Sequence, residues 1–199
     1  MKEVFVFYVR LTEISPAIWR RFELRAEGTF WHLHCAIQDA MGWLDCHLHE
    51  FRFPTGDKEM RIGIRSPEID EVEDEDTLLA GWETPLKDWF ASTPTSCTYI
   101  YDFGDGWEHQ VLLESRRPAM PGDRLPRCLA GEMACPPEDV GGPAGYEDFL
   151  VAALDPSHPR HREYVEWVGG PFDRERFRPE KVRFSRPSVR LRQAGLSAH

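Results

Sequence analysis

Several things are missing from this chain, and each absence removes a class of function. No stretch approaches the roughly 18 apolar residues of a membrane-spanning helix, so no membrane partner is expected. There is no cationic surplus: 24 Lys and Arg stand against 34 Asp and Glu, for a net charge of −10. An acidic chain repels the phosphate backbone, which disfavours non-specific nucleic-acid binding. There is no dense cysteine framework either. The five cysteines (35, 46, 97, 128 and 135) are an odd number, as expected of reduced thiols in the cytoplasm. The chain has no Gly-rich phosphate loop, no G-x-S-x-G elbow and no H-E-x-x-H helix. Residues 1–12 alternate and include Lys2, Glu3 and Arg10, so no secretory leader is expected.

What is present suits a folded domain. The 199 residues include seven Trp, twelve Phe and five Tyr, enough large apolar surface for a core held without disulfides. One domain over 1–182 is expected, followed by a basic, flexible tail over 183–199 with Arg183, Arg186, Arg190 and Arg192. The acidic run at 67–76 reads as a solvated loop and the tail as a frayed terminus; the sharper reading has the tail touch an acidic partner or that acidic run.

Period-two patterns predict strands over 4–11 and 18–24, the first with two covered faces. Ile18, Arg20, Phe22 and Leu24 share one side of the second strand. Thr29 reads as the N-cap of a helix carrying Phe30, Leu33, Ile37, Ala40 and Met41, ended by Gly42. Further strands are predicted over 49–53 and 60–64, joined through Pro54-Thr55-Gly56-Asp57. Thr84-Pro85 opens a short helix. A hairpin over 98–103 and 107–113 turns at Gly104-Asp105-Gly106. Residues 118–127 read as a connector, and helices are predicted over 145–154 and 160–168. Strands early and helices late predict an α+β fold, a mostly antiparallel sheet packed by helices in a two-layer sandwich.

Two groups of residues offer chemistry. Cys128 and Cys135 are seven positions apart in a Gly/Pro-rich stretch running to Tyr146. Two thiolates on such a loop would need histidine partners for zinc, from His47, His49 or His109. His47 and His49 are two apart and would face one side of a strand. The plainer reading makes the cysteines small buried hydrophobes and the histidines hydrogen-bonded strand residues. Asp102, Asp105 and Glu108 flank a tight turn beside Trp107 and His109, a set suited to a hard cation or to acid–base work. Aspartates in turns also cap their own backbone. In Ile18-Trp19-Arg20-Arg21, the arginines would bind anions or lay their stems along the sheet.

Taken in order, five segments resemble the plasmid pRiA4b ORF-3-like family. They are Pro16 to Arg21, Phe30 to His34 with Gly42-Trp43, His47 to Phe51, Tyr101 to His109, and Cys128 to Tyr146. The resemblance spans roughly residues 3–180. It implies an α+β sandwich like that of a small archaeal protein, and no stated activity. Cys46 stands where the family commonly has serine, and Val140 where a further cysteine often occurs. Some members carry a resolvase label, but Thr12 occupies the place of the nucleophilic serine.

The expected function is a cytoplasmic binding or interaction module. Its site would gather His47, His49, Asp102, Asp105, Trp107 and His109 with the Cys128–Cys135 loop; the cofactor is left open, with zinc the candidate if a metal is held. Two alternatives are a metal-assisted hydrolase or nucleic-acid-processing enzyme, and a mobile-element-linked accessory protein meeting DNA through the Arg-rich tail.

Overall fold

The alternating N-terminal segment becomes an inner strand of the sheet, β1 (Glu3–Leu11). Phe5, Phe7, Val9 and Leu11 are buried. The opposite face is covered only in part. There Tyr8 packs on Trp19 with ring centroids 5.5 Å apart, and the Arg21 guanidinium sits above both rings. A computed structural model of the chain describes residues 2–56, 58–64 and 78–196. The acidic run at 67–76, Asp57 in the predicted turn and residues 197–199 lie outside these.

The other strands are β2 (Trp19–Arg25), β3 (His49–Thr55), β4 (Lys58–Gly63), β5 (Leu78–Ala80), β6 (Thr95–Tyr101), β7 (Trp107–Pro118) and β8 (Arg127–Glu132). They form one eight-stranded sheet in the order β5-β4-β3-β6-β7-β1-β2-β8. All neighbours pair antiparallel except β4 and β5.

Helix α1 (Phe30–Met41) covers the buried face with Phe30, Leu33, Ile37 and Ala40. Its ends follow from the sequence. His32 Nδ1 accepts the Thr29 N–H at 3.2 Å, and Gly42 turns the chain out with φ 101°, a conformation glycine adopts without strain. The short α2 (Leu86–Trp89) leads into Phe90, which packs on Phe7 and Phe30. Helices α3 (Gly142–Leu154) and α4 (His161–Trp167) meet through Phe149, Tyr164 and Trp167. The result is the expected α+β sandwich with a mostly antiparallel sheet.

Two segments differ from their reading in the sequence. The start of the 128–146 stretch is the edge strand β8, not a loop. Pairing with β2 and the buried Arg20 create it: Arg20 donates to Glu132 O at 2.7 Å and Met133 O at 2.9 Å. Within the segment read as a flexible tail, Pro187–Gln193 forms helix α5. The acids that α5 meets are Asp39 and Asp45. Arg190 Nη2 lies 2.5 Å from Asp39 and Nη1 lies 3.0 Å from Asp45.

Candidate metal centre

Three chain segments meet at one end of the sheet: the loop between α1 and β3, the turn between β6 and β7, and the loop from β8 into α3. Hydrogen bonds knit them together. Trp43 Nε1 donates to Pro136 O at 3.0 Å, and the Leu44 N–H donates to Glu138 Oε1 at 2.6 Å. The Cys46 N–H donates to the Tyr101 hydroxyl at 3.1 Å, which in turn donates to Glu138 Oε1 at 3.1 Å. The Gly141 N–H donates to Asp105 Oδ2 at 3.1 Å. At Gly142 (φ 69°) a Cβ would come within 2.4 Å of Asp105 O, so only glycine permits this approach of α3 to the turn.

His47 stands where the three segments converge. Its Nε2 lies 2.9 Å from Asp139 Oδ1, 3.5 Å from Asp102 Oδ2 and 4.0 Å from Glu138 Oε2. That nitrogen is buried and aligned with no hydrogen-bond partner. Two sets of ligand atoms lie mutually within 4.8 Å: His47 with Asp102 and Asp139, and His47 with Cys46 and Glu138. Ligands about 2.1 Å from a metal lie about 3.0 Å apart in adjacent octahedral positions and about 3.4 Å apart in a tetrahedron. The His47 distances to Asp139 and Asp102 bracket those spacings. One imidazole with carboxylates suits a divalent ion of intermediate hardness.

The backbone is special here too. Asp45, Asp102 and Asp139 have φ of 59°, 58° and 56°. Aspartate tolerates this left-handed region better than most residues, and such conformations concentrate at functional sites. Asp102 fixes its own carboxylate: Oδ1 accepts the Gly104 N–H at 2.9 Å and the Asp105 N–H at 3.3 Å, while Oδ2 faces His47.

Of the residues singled out in the sequence, His47 and Asp102 come together at this centre. Asp105 caps the Gly141 N–H. Trp107 is buried, its ring 6.0 Å from that of Trp43. His109, on β7, is fully buried, with Nδ1 3.2 Å from Tyr99 O and 3.0 Å from Trp107 O. Nδ1 therefore carries the proton and Nε2 is bare. Burial lowers the His109 pKa to about 4.

His49 stacks on His34 with ring centroids 3.5 Å apart and 7° between planes. Burial, and then the neighbouring His34, hold it well below the ordinary range. The Asp45 carboxylate only accepts, so His34 Nε2 donates to it at 2.7 Å; with burial favouring the neutral imidazole, Nδ1 accepts from the Tyr99 hydroxyl, which itself accepts from Gln38. Cys128 donates weakly to Arg21 O and Ala130 O on the strand edge, and burial raises the pKa of both Cys128 and Cys135. Among the described residues, neither set of ligand atoms includes Cys128, Cys135, His49 or His109.

Glu138 and Asp139 went unnoticed in the sequence. They occupy Pro136-Pro137-Glu138-Asp139, inside the stretch read for its cysteines. The only signal was a pair of acids following two prolines, which hold that stretch extended. Two cavities flank the centre. One, of about 560 Å³, lies between the His47 loop and α5 and is lined by Trp31, Asp45, Cys46, Arg190 and Gln193. The other, of about 530 Å³, is lined by Trp43, Glu138, Asp139, Trp167, Phe172 and Phe177.

The sequence model of the plasmid pRiA4b ORF-3-like protein family matches residues 3–181. An uncharacterized protein of Sinorhizobium fredii, y4hQ, is 38% identical over 165 residues, covering 81% of this chain and 78% of the relative. The crystal structure of a protein of unknown function from Methanosarcina mazei Go1 is similar with a TM-score of 0.82 and 36% identity. That match covers 92% of this chain and 99% of the archaeal one.

Proposed function

The chain belongs to the plasmid pRiA4b ORF-3-like family, and from there we propose that it is a divalent-cation-dependent binding module. The relatives' names carry no activity, so the reading rests on the site. One observation carries it: the buried His47 Nε2 faces three carboxylates and is aligned with none of them. A histidine–aspartate ion pair alone would bring an aligned hydrogen bond. A cation between the groups accounts for the spacing without one. His47, Asp102 and Asp139 would hold it, and manganese fits that donor set. The cavities beside it would admit the ligand, whose polar end the cation would orient.

Metal uptake by the purified protein tests this. With Mn²⁺ or Zn²⁺, about one equivalent is expected per chain. His47→Ala should weaken binding by at least about tenfold, or about 1.4 kcal/mol. Less than about 0.1 equivalent of any divalent transition metal, with no uptake on titration, would refute the reading.

A second reading is favoured by the exposure of Asp139, whose side chain is 69% accessible. A cation held there keeps a coordination position open to water, as in metal-assisted hydrolysis. Cation-dependent turnover of a generic ester or phosphodiester, lost in Asp102→Asn, would move the protein into that class. The DNA-accessory reading is weaker, because Arg190 is engaged by Asp39 and Asp45. We also read the protein as cytoplasmic, which its five free thiols support. No helix among the described residues is long and apolar enough to cross a membrane.

A further inference from the structure

We propose that His47 serves two alternative cation sites, a harder one with Asp102 and Asp139 and a thiophilic one with Cys46 and Glu138. This rests on the cation-binding reading above and adds that the kind of cation decides which residues hold it.

The two sets are built alike. Each combines the shared imidazole, one carboxylate anchored by hydrogen bonds, and one exposed ligand. In the harder set, Asp102 Oδ1 is fixed by two backbone N–H groups, and Oδ2 is presented to His47. Asp139 is the exposed member. In the thiophilic set, Glu138 Oε1 accepts the Leu44 N–H at 2.6 Å and the Tyr101 O–H at 3.1 Å, while Oε2 lies 3.3 Å from the same hydroxyl and 4.0 Å from His47 Nε2. Cys46 is the exposed member, its backbone held by Tyr101 and its Sγ 3.9 Å from that hydroxyl. The ligand atoms of each set lie mutually within 4.8 Å.

Donor chemistry separates the two. Carboxylates with one imidazole favour Mn²⁺, whereas a thiolate selects Zn²⁺ or Cd²⁺. The carboxylates face His47 through Nε2, which has one lone pair, so the two sites exclude each other. One protein would therefore hold either class of ion, through different residues, at one equivalent.

The test uses the full chain with Cd²⁺ and Mn²⁺ as separate probes. Cys46→Ser should weaken Cd²⁺ at least about tenfold, abolish the thiolate-to-metal ultraviolet band, and leave Mn²⁺ within about twofold of wild type. Asp139→Asn should do the reverse, and this exposed position avoids disturbing the Asp102 turn. His47→Ala should lose both ions, and Cd²⁺ should displace Mn²⁺ one for one. Cd²⁺ binding that survives Cys46→Ser unchanged would overturn the proposal. So would loss of both ions in Asp139→Asn, or simultaneous binding of both. A wild-type chain that binds neither ion refutes the cation-binding reading itself. A chain that binds both ions through one common set refutes only the division between them.

Discussion

At the scale of single residues, Arg20 ties together chain segments that are far apart in the sequence. The residue is 1% exposed, and its guanidinium donates to the carbonyls of Ala40, Trp19, Glu132 and Met133 at 2.7–2.9 Å. It also stacks on Phe177 at 3.7 Å. Burial lowers its pKa, yet a guanidinium stays charged in proteins. The alternation of the second strand made its burial legible, since Arg20 shares a side with Ile18, Phe22 and Leu24. Its partners were not legible, because two of the four carbonyls lie more than 110 positions away. Arg20→Ala strands one buried and three part-buried acceptors, two of them at the root of the loop that carries Glu138 and Asp139. It is expected to cost about 3–5 kcal/mol in urea unfolding, and Arg20→Lys should recover only part of this. A loss under about 1 kcal/mol would mean that water replaces the guanidinium.

Among the elements, α5 is the one whose role the sequence concealed. Four arginines in a terminal segment read as a solvated tail, yet the segment is tied down at several points. Trp31 Nε1 donates to Pro187 O at 2.9 Å, Ser185 donates to Asp39, and Arg190 bridges Asp39 and Asp45. Asp45 also accepts from the buried His34 and lies two residues before His47. The helix thus braces the loop that presents His47, the proposed cation ligand. Arg190→Gln is expected to lower cation affinity about fivefold, a coupling of about 1 kcal/mol. By reciprocity, added cation should slow tryptic cleavage within 183–192 in the wild type and not in His47→Ala. Equal cleavage rates with and without cation would break the link. The strands and α1 were legible because alternation, a Thr29 cap, Gly42 and an Asp-Gly turn are local signals. Strand β8 and α5 exist through pairing and ion contacts made across the fold, which no local pattern encodes.

For the whole molecule, the buried histidines set the response to acid. His109 titrates near 6.5 when unfolded and near 4 when folded. Between those values the unfolded chain holds a proton that the folded chain refuses, so stability falls as pH drops. Each pH unit in that window costs about 1.4 kcal/mol per such histidine, or about 3 kcal/mol for His109 over its full range. His34 and His49 are lowered by burial as well and act in the same sense. The urea midpoint should therefore decline steadily from pH 7 to pH 5, above the range where carboxylates protonate, and His109→Gln should flatten the decline. A midpoint unchanged over that interval would show the histidines to be hydrated on opening at no cost.

The left-handed backbone at Asp139 has one more consequence. Its side chain is 69% exposed and turned to His47, while its φ of 56° is one that glycine adopts freely. Asp139→Gly would relax the loop and leave the core untouched, so the variant should melt no earlier than the parent. It would also lose a proposed cation ligand. A screen for thermal resilience would promote this variant, and a screen for cation uptake would discard it. Aspartate at 139 is then a residue that folding alone would not select.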